Sequence, residues 1–169
     1  MRNGRKDIGK YIGTFTARGK ISENDSEQGR PARVRLFDGQ FDTAFKVIEF
    51  YVWGASTGGS TTGDCVGKLS TSPNVESGPG DFFNADDARE FAWAYSEVGT
   101  DSGGGGLDQI IDPENLLVED LWVFVRGQQD TAGVNYLIIM EKYDITESLG
   151  AVSMAKDRAR DSTGEWRTP

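Results

Sequence analysis

Side chains able to do chemistry are few in this chain, and the shortage narrows what it can do. Its 169 residues include no His and a single Cys, Cys65. That removes Ser-His-Asp and Cys-His catalysis and the commonest general base. With no imidazole to activate it, Cys65 reads as a structural thiol, and transition metals find none of their usual ligand sets. Carboxylates remain. The near neighbours are Asp86 with Asp87, Asp112 with Glu114, and Glu119 with Asp120. Two carboxylates about 5–10 Å apart can hydrolyse a glycosidic bond. Adjacent residues on a strand point to opposite faces, however, so Glu119 and Asp120 make a poor pair. The other two pairs read equally as caps or turns. Asp101, Asp108 and Asp112 offer the oxygen atoms that calcium takes, without the Asp-x-Asp-x-Asp-Gly spacing of a calcium loop. The glycines at 103–106 are followed by no Gly-Lys-Ser/Thr and no helix signal, unlike a phosphate loop. These residues predict no enzyme and no cofactor. Trp53, Trp93 and Trp122 are the other candidates, as a sugar-stacking platform or, since each sits in a strand pattern, as packing in the core or at an interface. Trp166 lies in a polar stretch and needs a partner.

The elements that must position these residues are β-strands. The clearest run is 116–145. Leu117 to Arg126 and Val134 to Ile145 are rich in β-branched and aromatic residues and are joined by the polar Gly127–Gly133 link. The pattern predicts a hairpin of two long strands. Because Leu121, Val123 and Val125 lie on one side of the first arm and Trp122 and Phe124 on the other, both of its faces should be covered. Upstream, Tyr11–Arg18 is a first strand, Ala32–Phe37 a half-buried one, and Asp38-Gly39 a tight turn. Phe45–Trp53 follows, with Phe45, Val47, Glu49, Tyr51 and Trp53 on one face and Ile48, Phe50 and Val52 on the other. Asp64–Ser70 and Leu107–Ile111 are shorter elements. Residues 86–98 carry both a helix entrance at Asn84 and Asp86-Asp87 and a strand alternation at Phe91, Trp93 and Tyr95; the strand is favoured. The whole predicts an all-β fold, an antiparallel β-sandwich over residues 9–145. A flexible basic arm at 1–8 precedes it. An arm at 146–169 follows, helical where Thr146 and Glu147 open a run that ends in Lys156, Arg158 and Arg160.

Composition agrees with a single domain held by packing. Hydrophobic residues are 37% of the chain, yet four Trp, five Tyr and nine Phe supply large apolar surfaces, and one Cys permits no internal disulfide. Charge is divided. Residues 1–35 hold 9 Lys/Arg against 4 Asp/Glu, and residues 36–169 hold 9 against 23, within a net charge of −9. An acidic body repels nucleic-acid phosphate, so a dedicated nucleic-acid reader is not expected. Met1 opens a polar segment rather than an apolar signal core, and no run reaches the roughly 18 apolar residues of a membrane span. Neither Sec export nor membrane insertion is expected.

The run Ile111-Asp112-Pro113-Glu114-Asn115-Leu116-Leu117-Val118-Glu119-Asp120-Leu121-Trp122, then Val134-Asn135-Tyr136-Leu137-Ile138-Ile139-Met140-Glu141, resembles the C-terminal half of small structural proteins of marine bacterial viruses. Those chains also end in a polar helical arm, here Glu147 to Asp161, so that the resemblance covers residues 107–161. It implies a jelly-roll-like coat subunit located in the virion and made in the host cytoplasm. Its partners would be copies of itself and other virion proteins, with the genome or a lipid surface at the basic arm of Arg2, Arg5, Lys6 and Lys10. That arm is modest beside those that condense a genome, which favours lipid or a separately packaged genome. Subunit contacts are expected at Arg2, Arg5, Lys6, Trp53, Trp122, Phe124, Leu149, Val152, Met154 and Trp166. The alternative function is a carbohydrate-binding β-sandwich module using exposed aromatics and loop carboxylates.

Overall fold

From Val134 to Met140 every second side chain is buried, which is the period of a strand with one face on a core. The computed structural model describes residues 9–22, 30–37, 39, 42–55, 64–75, 82–97, 106–127, 133–145 and 152. In these the chain forms β1 (Lys10–Ile21), β2 (Ala32–Val34), β3 (Thr43–Gly54), β4 (Cys65–Ser70), β5 (Glu90–Glu97), β6 (Gly106–Ile111), β7 (Leu121–Gly127) and β8 (Val134–Asp144). Among the described residues no helix is long and apolar enough to cross a membrane. The predicted arms at 1–8 and 146–169 lie outside the described residues, except for Val152, which is helical in conformation and exposed.

The strands build two antiparallel sheets, ordered β1-β8-β3 and β2-β7-β4-β5-β6, packed as a β-sandwich. Val47, Phe50, Val52, Val134, Ile138 and Met140 of the first sheet meet Cys65, Leu69, Ala92, Ala94, Leu121, Val123 and Val125 of the second in one core. β3 lies across β4, β5 and β6. Two glycines make specific allowances. Gly67 lets β3 approach β4, since a Cβ there would sit 2.5 Å from Val52 Cγ1. Gly133 enters β8 with φ of +121°, a conformation that L side chains rarely adopt.

Three expectations are corrected. The two arms of the predicted hairpin do not pair: β7 lies between β2 and β4, and β8 between β1 and β3. Their apolar faces meet through the core, face to face between sheets, because that is how both can be buried at once. The even alternation predicted for Phe45–Trp53 breaks at Ile48. Val47 pairs with Met140 and Glu49 with Ile139, so Ile48 is an extra bulged residue. Phe45 and Val47 before the bulge and Phe50 and Val52 after it are therefore buried together. In β5, Phe91 is displaced by a similar irregularity and joins the core, while Trp93 and Tyr95 turn outward. The inward positions belong to Ala92 and Ala94, small enough for β3 to cross them.

Candidate interaction surfaces

On the outward side of the larger sheet, Lys68 of β4 points away from the core yet has no exposed side-chain surface. Its Nζ lies 2.5 Å from Glu90 Oε1, and the Glu90 side chain is equally enclosed. Glu90 Oε2 also accepts hydrogen bonds from Trp93 Nε1 (2.9 Å) and the Asn84 amide (3.1 Å). The ammonium lies over the rings of Phe82 (5.1 Å) and Phe124 (5.5 Å), and Arg126 also lies over Phe82 (5.3 Å). The segment 82–90 is thus fastened across the sheet by one ion pair. Phe124, expected at a subunit contact, is covered by its own chain. This cluster escaped the sequence reading: alternation puts Lys68 on an outward face but says nothing of a partner 22 residues away.

Beside it, Phe83, Trp93, Tyr95, Asp108 and Ile110 line an open groove of about 350 Å³. Trp93 stands opposite Ile110 and Tyr95 opposite Asp108 across the β5–β6 pairing. The walls are apolar with a single carboxylate, so the groove suits an apolar side chain or the flat face of a sugar.

The carboxylate pairs are engaged in local structure. Asp87 accepts from Arg89 through Nε (2.8 Å) and Nη2 (2.7 Å). Burial pushes the Asp87 carboxyl up, but the hydrogen bonds and charge of Arg89, with Lys68 nearby, outweigh it and hold it below its usual range. Asp112 accepts the Glu114 amide at 2.8 Å and closes a turn. Asp120 takes the Leu36 amide (2.7 Å), the Phe37 amide (3.1 Å) and Arg33 Nε (2.7 Å). Here too burial acts upward and is outweighed, so the carboxyl lies below its usual value. Burial, with a smaller contribution from the Asp64 carboxylate, pushes the Cys65 thiol up to about 11, opposite to the shift of an activated nucleophile. Of the calcium candidates, Asp101 lies outside the described residues, and among those described no three His, Cys, Asp or Glu side chains converge on a metal site.

The three tryptophans do not form one platform. Trp53 is exposed on the outer face of the smaller sheet, opposite Asn135. Trp93 and Trp122 are outward on the larger sheet with β4 between their strands, and Arg33 lies 5.7 Å over Trp122. Arg2, Arg5, Lys6, Leu149, Met154 and Trp166 lie outside the described residues. No protein-family model, curated protein or solved structure matches the chain.

Proposed function

We propose that the chain is a non-enzymatic structural subunit that acts by repeating itself, as a coat or other component of a virion shell. One observation carries the reading. The described residues of the two sheets share one buried core, yet among them Tyr11, Ile12, Phe15, Trp53, Phe83, Leu107 and Ile110 are exposed. Large apolar side chains grouped on a surface mark places where something else docks. The connectivity supports the same reading. The second strand of the chain lies in the opposite sheet from the first, the third returns, and the last two part between sheets. We read this as jelly-roll-like, with β6 held on β5 rather than beside β3. The likeness of residues 107–161 to small virion proteins points the same way. Copies of the chain, with other virion proteins, are then the partners, and the basic arm around Arg2, Arg5 and Lys6 faces lipid or genome.

Light scattering and negative-stain microscopy of the purified chain test this. Assemblies much larger than the 18.5 kDa subunit are expected, and removing residues 1–8 or 146–169 should leave folded but unassembled protein. A chain that stays monomeric at high concentration overturns the reading. If glycans also quench its Trp fluorescence, the groove at Trp93 and Tyr95 makes it a carbohydrate-binding module instead.

A further inference from the structure

The two edge strands β1 and β6 differ in the sign of the charge they carry. β1 lies at one end. It pairs with β8 on one side and, among the described residues, with no strand on the other. β6 lies at the other end, beyond β5, where β3 crosses. Along its twelve residues β1 carries Lys10, Arg18 and Lys20 and no carboxylate. Among these charges Tyr11 and Ile12 are each 51% exposed and Phe15 is 45% exposed. Residues 106–115, β6 and the turn after it, carry Asp108, Asp112 and Glu114 and no Lys or Arg. There Leu107 is 57% and Ile110 71% exposed, with Phe83 at the groove beside them.

β1 and residues 106–115 therefore each combine exposed apolar side chains with charge of a single sign, although Asp144 stands opposite Lys10 and Lys46 of β3 lies at the β6 end. A two-fold contact joins like to like, and here it would set three cations of β1 against three cations, or three carboxylates against three. A heterologous contact joins unlike ends and pairs both the charges and the apolar side chains. The geometry points to head-to-tail association of copies, in which the β1 end of one chain docks on the β6 end of the next. This inference rests on the reading that copies associate, and it names the surfaces by which they do so. A contact of this kind closes into a ring when its rotation divides a full turn and otherwise runs on as a filament.

Charge reversal in the full chain tests it by sedimentation velocity at low salt. K10E/R18E/K20E and D108K/E114K should each weaken association by more than about a hundred-fold, since each sets like charges together. An equal mixture of the two variants should assemble, as should one chain carrying all five substitutions. Ile110→Thr, which removes apolar surface without adding charge, should weaken association by about ten-fold. Reversal variants that assemble as the unaltered chain does, or a mixture no better than its components, overturn the head-to-tail contact and leave self-assembly standing. An unaltered chain that never associates overturns both.

Discussion

Lys68 and Glu90 are two charges enclosed on the outward side of a sheet, where alternation alone would leave them in water. Taking such a pair out of water costs several kcal/mol per ion, which the attraction between them offsets only when the geometry is good. Here the remaining Glu90 oxygen is taken by Trp93 Nε1 and the Asn84 amide. The pair therefore adds little net stability but favours one arrangement: it ties the start of β5 to β4 beside Phe82, over which Arg126 also lies. Lys68→Met is expected to cost about 3–5 kcal/mol in urea unfolding, because it strands a buried carboxylate. Replacing both partners, Lys68→Met with Glu90→Leu, should recover most of that loss while loosening the groove wall at Phe83. A single variant as stable as the parent would refute the account. None of this was legible in the sequence. Charged residues 22 apart along the chain give no signal of meeting; the antiparallel pairing of β4 with β5, which sets Ser70 opposite Glu90, brings them together.

At the scale of elements, the first sheet has two unlike edges. β3 is sealed by side chains and loop backbone. Phe45 and Leu117 exchange two backbone hydrogen bonds of 2.7 and 2.8 Å. Asn115 Oδ1 accepts the Val47 amide (2.8 Å), and Gln109 Oε1 accepts the Phe50 amide (2.6 Å). An edge so occupied offers no template to another chain. Asn115→Ala should destabilise by about 1–3 kcal/mol, since it leaves buried groups of Val47 without partners. Residue-resolved hydrogen exchange should show the Val47 amide opening while Ile138, in the central strand, stays protected; unchanged exchange at Val47 would count against the seal. Periodicity made the strands readable, including β5 against a competing helix signal, because a buried face imposes a period of two. It did not reveal which strands pair. The hairpin expected at 116–145 failed because each arm has two other neighbours. The bulge at Ile48 moved the buried face within one strand, where alternation assumes it fixed. The strand pattern alone puts Trp93 in the core or at an interface, and the small Ala92 and Ala94 beside it were the missed sign that theirs was the inward face.

For the whole molecule, stability depends on how closely the two sheets approach, and Gly67 is where that can be tested. A Cβ at this position would lie 2.5 Å from Val52 Cγ1 and 2.9 Å from Phe50 Cζ. Both neighbours are fully buried, so neither side chain can swing into solvent. Gly67→Ala must then push β3 from β4 or force strained rotamers, at a cost of about 1–3 kcal/mol. Val52→Ala alone is destabilising too, through the cavity it leaves. Combined, the two should cost less than their sum, because the new methyl takes space that Val52 gives up. A double-mutant cycle measured by urea unfolding gives the coupling directly, and strict additivity would mean that the sheets are not limited by this contact. The cycle also separates stability from assembly. Gly67 and Val52 face the core, whereas the proposed subunit contacts lie on the lateral ends. All three variants, once folded, should associate as the parent does, so any loss of assembly among them would show that the ends depend on sheet spacing.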